Sequence, residues 1–577
     1  MGKAFVRFSV LFIILLFAGH KILCSQNELT GIVVNNSSIE RVKYCVITSY
    51  KTGETFLTNP EGVFRIPYTT DEDTLVFFAL GFQSLVKPVT ELRQDQEVFL
   101  IELSAKNLKD RPKIASAELF SYIKDAAKNL RKKPVNNSRA YLEYLSSIDN
   151  KDFEFSRFYY NVLVQGSKVL DMNIKHGRVS MAPNQSGLIN LVPSKSLIRQ
   201  APVQNSKSFP ANPLQPSVEK EGENLWDFVE GTHANSDSII HIVFTKLKKD
   251  DNSLCEGEIW INKVSYDIFH LSLKSNNVGI HPFVGRPEDS ITQVSIETNY
   301  HFDNTSHHRG KLLYIDFSYA FDFLSGIASQ KNKNRIATEG LVHFYNFDRP
   351  FFIPRRNPSE LYDDYFKAGM VPFDSTFWNL TNGLVLTQRQ WDKFASITES
   401  GISYNYRLPK KDKAISETLF RQNNVTWNKD SYLDLDADES QDSIRADLSV
   451  YIYFDLNTFN DSLVFNTITI LDRLSTKFNL EYNKQNLVFQ NVYFDLCEIV
   501  RLNLDIKLKQ LQNIEDMGKA HEVSMKDLIS ITGKFKKETN LGANIHKLKK
   551  WSDLVYDRTG VDNFKTFGLT YKPKKNK

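Results

Sequence analysis

Between residues 136 and 350 the chain reads as strand after strand. The segments 155–166 (FSRFYYNVLVQG), 238–246 (SIIHIVFTK), 254–273 (LCEGEIWINKVSYDIFHLSL), 291–302, 311–323 and 335–347 are rich in aromatic and β-branched residues. Such residues fit a pleated surface, and short connections between them favour antiparallel neighbours. The pattern predicts a curved antiparallel sheet of seven or more strands over 136–350. A sheet of that kind must either fill its concave face with side chains or use it as a ligand cavity. One insertion interrupts it. Residues 184–224 are rich in Pro, Ser, Asn and Gln and too long for an ordinary connection. They are expected to form a partly disordered loop or lid with Leu188, Leu191 and Leu197 packed.

Composition agrees with a β-rich, multidomain chain. The 577 residues include 41 Phe and 24 Tyr, and mean hydropathy is −0.36. A net charge of +4 is small for this length and calls for no strongly charged partner such as nucleic acid. Near the start, Lys3 and Arg7 precede eleven apolar residues at 8–18 (FSVLFIILLFA), too few to span a bilayer. This is the pattern of a signal peptide over 1–25 and predicts export, to the periplasm, the outer membrane or beyond. Lys21, Ile22 and Leu23 lack the small residues that lipidation at Cys24 needs. Cys45, Cys255 and Cys497 are far apart and follow no ligand spacing, so buried free thiols are expected.

Residues 27–103 have their own organisation. Short apolar runs at 31–34, 41–50, 55–58, 64–66, 73–79 and 98–103 are separated by turns such as Lys51-Thr52-Gly53 and Asn59-Pro60-Glu61-Gly62. They predict a small antiparallel β-sandwich. Gly31 and Val33, then Thr58, Asn59, Gly62, Phe64 and Ile66, then Asp73, Leu75, Phe77, Gly81 and Phe82 carry a resemblance. The segment resembles the carboxypeptidase regulatory-like domain, an accessory module of many envelope proteins of Gram-negative bacteria. The resemblance implies a docking or spacer module without zinc ligands or peptidase activity. The usual proline before the second strand is replaced by Ser38-Ile39-Glu40.

Two later patterns carry a second resemblance. The hairpin from Gly257 to Ile268, Gly-x-Ile-Trp-Ile-Asn-x-x-Ser-Tyr-x-Ile, is similar to one in the periplasmic lipoprotein-carrier fold. Asp374-x-x-Phe377-Trp378, followed by Leu386-Thr387, looks like a pattern found after such sheets in uncharacterised envelope proteins. What this resemblance implies is an open half-barrel with an apolar concave face.

Elsewhere the reading is coarser. Ala115, Leu119, Ile123, Ala126 and Leu130 predict a spacer helix within 104–135. Residues 351–423 are mixed and turn-rich. Residues 424–577 are expected to form a helix-rich domain that includes one strand at 449–456. Ile468, Leu471, Leu474 and Phe478 predict a first helix there. Val492, Leu496, Val500, Leu504, Leu508 and Leu511 predict a long second one, and 525–538 and 544–557 two more. From Arg501 onward seventeen Lys and Arg stand against nine Asp and Glu. That excess reads as a solvated basic face, with contact to anionic lipid or nucleic acid as the alternative.

No catalytic motif emerges. His301, His307, His308 and Asp303 cluster at a predicted hairpin loop, a place that ordinarily exposes polar residues. His521-Glu522 lacks the second histidine of a zinc-protease helix. Asp434, Asp436 and Asp438 begin like a calcium loop, but Glu439 and Arg445 stand where glycine and glutamate are needed. Asp363-Asp364 is an unassigned carboxylate pair. Asp495, Glu498 and Arg501 share one helical face and read as ion-paired helix surface. Neither a metal nor a cofactor is expected. Trp226, Phe228, Trp260, Phe269 and Phe283 are the candidate pocket aromatics, with core packing as the ordinary explanation. The sequence therefore predicts an exported, non-catalytic envelope binding or scaffold protein. Its half-barrel would hold a lipid-like ligand or a partner protein. Two alternatives stand beside this: an envelope glycan or peptide hydrolase with a site in 350–450, and an accessory partner of an outer-membrane transporter.

Overall fold

In the computed structural model the described residues are 28–67, 72–92, 96–102, 113–181, 197–232, 238–283, 287–303, 309–326, 333–347, 364–374, 420–421, 424–435, 446–459 and 462–571, with isolated positions between 377 and 392. The expected signal segment, Cys24, Leu188, Leu191, His307, His308, Asp363, Leu386, Asp436, Asp438, Glu439 and Arg445 lie outside them. The chain forms two compact units. The first gathers residues up to Lys113 with 231–241 and 379–391; the second holds the remainder.

In the first unit, β1 (Glu28–Asn35), β2 (Val46–Ser49), β3 (Thr55–Leu57), β4 (Val63–Pro67), β5 (Thr74–Phe78), β6 (Leu85–Pro88) and β7 (Gln96–Leu100) form two small sheets, ordered β4-β1-β7 and β3-β2-β5-β6. Leu29, Val33, Phe64, Ile66 and Val98 from one meet Ile47, Leu75 and Phe77 from the other in a shared core. Alternation along each strand puts these residues on one face. All pairs are antiparallel except β1 with β7, which is parallel. Gly62 has φ +71°, and a Cβ there would lie 2.7 Å from the Val33 carbonyl. Asn59 organises the same turn: its Oδ1 accepts from the Glu61 and Val63 amides, and its Nδ2 donates to the Val385 carbonyl at 2.9 Å.

The second unit is built on a curved antiparallel sheet of ten strands, of which only the first three residues of β12 are counted with the first unit: β8 (Val135–Ile148), β9 (Lys151–Gln165), β10 (Lys168–Met181), β11 (Trp226–Glu230), β12 (Ile239–Lys246), β13 (Glu256–Asn262), β14 (Ile268–Val278), β15 (Ser290–Phe302), β16 (Leu312–Leu324) and β17 (Lys333–Tyr345). Their order is β10-β9-β8-β17-β16-β15-β14-β13-β12-β11. Bulges interrupt the register in β10/β9, β8/β9, β13/β14, β14/β15 and β15/β16, and each bulge bends its strand. Helix α1 (Ser116–Arg131) buries Leu119, Phe120, Ile123, Ala126 and Leu130. Burying a side chain of leucine size is worth about 1.5–3 kcal/mol, so this face anchors the helix. The Ser116 hydroxyl accepts the Phe228 amide of edge strand β11 at 3.2 Å.

Residues 197–222 are packed rather than open. Leu197, Ile198, Val203 and Leu214 are buried, Arg131 is 2.6 Å from Glu219, and the Tyr300 hydroxyl donates to the Gln200 carbonyl.

The helix-rich end begins with a short helix, α2 (Asp364–Ala368), beside β10. There Gly177 leaves room for Ala368, whose Cβ lies 2.7 Å from where a glycine substituent would sit. Strands β18 (Asn424–Thr426), β20 (Val450–Phe459) and β21 (Ser462–Asp472) form a sheet ordered β18-β21-β20, and β19 (Ala446–Asp447) pairs with β22 (Lys477–Phe478). Helices α3 (Lys484–Leu508), α4 (Ile514–Thr539) and α5 (Ile545–Thr559) share a core with β20. Asn483, Asn513 and Asn544 cap their N-termini by accepting from Asn486, Asp516 and Lys547 amides. One expectation is corrected here. Residues 468–478, expected as a helix, are the end of strand β21, a turn, and strand β22. The run Thr467-Ile468-Thr469-Ile470 is β-branched throughout, and pairing with β20 decides the matter.

Candidate functional site

The five candidate aromatics are all buried, in separate packing environments. Trp226 donates its indole N–H to the Cys255 carbonyl at 2.7 Å. Phe228, on the same strand, stacks on Phe120 of α1 with centroids 5.0 Å apart. Phe283 packs on Tyr319 and Phe321 of β16. Phe269 lies at the β13/β14 bulge, and Trp260 belongs to the cross-strand row described below. The apolar surface around Phe228 is thus occupied by α1. One buried polar island interrupts the sheet: Glu154 accepts from the Tyr144 and Ser156 hydroxyls at 2.8 and 2.7 Å, beside the Ser146–Thr338 hydroxyl pair.

Both sequence patterns singled out above have structural work to do. In the Gly257–Ile268 hairpin, a Cβ on Gly257 would lie 1.8 Å from the Ser272 carbonyl. Asn262 Oδ1 accepts the Val264 and Ser265 amides, and Tyr266 takes φ 56°. Asp267 then gathers Lys133 at 2.8 Å, Arg309 at 3.0 Å and the Ser265 hydroxyl at 2.8 Å, tying the end of α1 to the hairpin. Burial would raise the Asp267 carboxyl, but Lys133 and Ser265 hold it below its ordinary value.

In the second pattern, Asp374 accepts the Phe377 amide, Phe377 stacks on His176 at 3.9 Å, and the guanidinium carbons of Arg157 and Arg178 lie 5.6 and 5.1 Å from the Trp378 ring centre. Those arginines are directly opposed on β9 and β10. Two like charges in that position repel, and the indole ring near both offsets the repulsion.

Beside Phe377 lies a fully enclosed ionic cluster. Lys175 Nζ is 3.2 Å from Asp455 Oδ1 and donates to the Leu456 carbonyl at 2.8 Å; His176 Nε2 is 3.3 Å from Asp455 Oδ2. Burial alone would raise Asp455. Lys175 and His176 outweigh it and hold the carboxyl at about 2. Burial brings Lys175 down to about 8, against the pull of Asp455.

His176 also ends a row that crosses eight strands. Trp260, His270, His301, Tyr314, His343, Tyr141, Tyr159 and His176 stand in direct register from β13 to β10. The His270 and His301 rings are 4.4 Å apart, and each lies near its own carboxylate, Glu258 at 3.7 Å and Asp316 at 3.4 Å. His343 is buried, which brings its imidazole down to about 3. His301 therefore neighbours His270, a partner its position in the sequence does not suggest. Among the described residues no group of three or more His, Cys, Asp or Glu is set to hold a metal ion.

On α3, the stripe expected as helix surface faces β21 instead. Glu498 accepts from Thr469 and from Arg501, and Arg501 also reaches Asp505 at 2.6 Å. Asp495 accepts from Trp427 and Asn563, both at 2.7 Å; burial nevertheless raises its carboxyl to about 6. Cys45, Cys255 and Cys497 are buried free thiols. Burial raises all three, Cys255 to about 12, which leaves them poor nucleophiles.

Among the described residues a cavity of about 510 Å³ lies between β20 and α4. Ile452 and Phe454 on the strand and Met525 and Ile529 on the helix give its apolar walls. Tyr451, Tyr453, His521, Glu522 and Lys526 supply polar groups. His521 lies 2.8 Å from the Ile452 carbonyl through Nε2 and stacks on Phe454. Apolar walls with a few convergent polar groups, in this size range, are the ordinary character of small-molecule sites.

No family model matches the sequence, and no curated protein matches it. Among solved structures the chain is similar to a LolA superfamily protein from Nitrosomonas europaea, at 10% identity and TM-score 0.18, over 41% of this chain and 95% of that one. It is also similar to a protein of unknown function from Bacteroides fragilis, at 10% identity and TM-score 0.11, over 56% and 98%. Likeness at these values decides neither fold nor function. Among the described residues no helix is long and apolar enough to cross a membrane.

Proposed function

We propose that this chain is an exported, non-catalytic binding protein of the cell envelope. The ten-stranded sheet serves as a scaffold, and the β20–α4 cavity receives the ligand. The signal-like segment at 1–25 supports export. The single observation that carries the binding reading is the cavity itself, with Met525 and Ile529 lining it from the helix and Phe454 from the strand. Flexible methionine beside aromatic rings suits a surface that must close around a guest. The packing of Phe120 on Phe228, and of Phe283 on Tyr319, favours this cavity over the inner face of the sheet. Native mass spectrometry of protein isolated from its own envelope tests the reading. A mass increment of one small molecule, released by solvent extraction, is expected. A bare polypeptide mass, with no partner protein attached, would overturn it.

A further inference from the structure

We infer that the opposed arginines Arg157 and Arg178 form a binding site for a phosphate group, separate from the β20–α4 cavity and independent of the reading placed on it. The two residues face each other across β9 and β10. The Arg157 guanidinium carbon lies 5.8 Å from the Phe155 ring centre and 5.6 Å from that of Trp378. The Arg178 guanidinium carbon lies 5.1 Å from the ring centres of both Phe373 and Trp378. Each guanidinium is thus held by two rings. Both arginines and Trp378 are half-buried and Phe373 is 42% exposed, so water reaches the pair.

Rings meet the flat face of a guanidinium and leave the N–H donors at its edge for other partners. Arg157 has no hydrogen-bonding or ionic partner among the described residues. The site does not require Arg178 to be free, because a guanidinium shares five N–H donors among its partners. Glu143 is the carboxylate in register with the pair, opposite Arg157 on β8, and it accepts from the Tyr141 hydroxyl at 2.5 Å. One carboxylate against two guanidinium groups leaves an excess of positive charge. Asp374, which accepts from the Phe377 amide and from Asn466, is balanced by Arg139 on the same face of β8. Directly opposed residues have Cα atoms about 5 Å apart, so both forks can reach one group. A phosphate monoester brings a charge of about −2 and three acceptor oxygens, enough to engage both forks at once. A carboxylate brings half that charge and one oxygen fewer. The exposed Phe373 ring offers a seat for the carbon body of the ester.

Calorimetric titration of the full chain with phenyl phosphate, inorganic phosphate and benzoate tests this. Phenyl phosphate is expected to bind about tenfold tighter than benzoate, the worth of one hydrogen bond to a charged group. Arg157→Gln should weaken phenyl phosphate by about tenfold or more. Arg157→Lys keeps the charge without the fork and should fall between the two. Phe373→Ala, a change at an exposed ring, should weaken phenyl phosphate and leave inorganic phosphate unchanged. Flotation with phosphatidylcholine vesicles containing phosphatidic acid separates two sources of the group. Flotation that depends on Arg157 assigns a lipid headgroup; calorimetric binding without flotation assigns a soluble ester. Absence of both, benzoate binding as tight as phenyl phosphate, or equal behaviour of wild type and the two Arg157 variants overturns the inference and leaves the cavity reading untouched.

Discussion

Lys175 and Asp455 are 280 positions apart in sequence and 3.2 Å apart in space, with side chains 3% and 0% exposed. The pair joins β10, an edge of the large sheet, to β20, an edge of the C-terminal sheet. Lys175 also donates to the Leu456 backbone, so a side chain rather than another strand covers that part of the edge.

Removing one member leaves the other charged and buried. Lys175→Met and Asp455→Leu should each cost about 3–5 kcal/mol of unfolding free energy, and the double variant less than either. Urea denaturation of the four proteins checks this. A double variant as unstable as the sum of the singles would show that the pair has no mutual interaction.

Acid should act through His343 first. Its folded value of about 3 lies below the ordinary 6.5, so the unfolded chain takes up the proton first. The stabilisation is complete above pH 6.5 and is lost as pH falls towards 3, by roughly 1.4 kcal/mol per unit at most. Asp455, held at about 2 against an ordinary 3.8, loses its share at lower pH, below about 4. Asp495, raised to about 6, acts with the opposite sign: protonation between 6 and 3.8 favours the folded state. Thermal melts of wild type and His343→Gln from pH 7 to 4 should differ in slope, the variant being flatter. Parallel curves would contradict the account of His343.

Gly257→Ala places a methyl group where the Ser272 carbonyl stands, at 1.8 Å, with Phe244 behind it at 2.9 Å. Main chain cannot yield as a flexible side chain can, so a loss of about 2 kcal/mol or more is expected, in the range of strained and overpacked sites. Chemical denaturation measures it; a change under about 0.5 kcal/mol would contradict the packing described for this hairpin.

Phe377→Ala should cost about 3–5 kcal/mol, as for other buried large-to-small changes. It removes the ring that stacks on His176 and meets Tyr159 edge-on. Hydrogen exchange should then rise along β10 near His176 and leave α5 unchanged. Uniform exchange across both elements would show that Phe377 has no local role.

Much of this fold is legible in the sequence because its signals are local. Period-two alternation marks the large sheet, and spacings of three and four mark α1 and α3 to α5. Residues 468–478 mislead because Ile468, Leu471 and Leu474 fit a helical spacing, while the intervening threonines favour a strand. The cavity is less legible. Its walls come from residues about 70 positions apart, and in the sequence His521 reads only as half of an incomplete zinc-protease motif. The histidine–tyrosine row is invisible without strand register, since its eight members come from eight strands. The same holds for Asp495 and Glu498, whose spacing shows a shared helical face but not that Trp427 and Asn563 meet the one and β21 the other. Trp226 and Phe228 stand out in the sequence only as aromatics; their surroundings depend on α1, which the sequence places only as a spacer.

The most direct test compares the small molecules that co-purify with wild type and with Met525→Trp, whose indole would fill the β20–α4 cavity while the exposed Ile529 rim is left intact. Extraction followed by mass spectrometry should find one compound in near-equimolar amount with the wild type and at least tenfold less with an equally stable variant. Equal recovery from both proteins would place the ligand elsewhere and contradict the account.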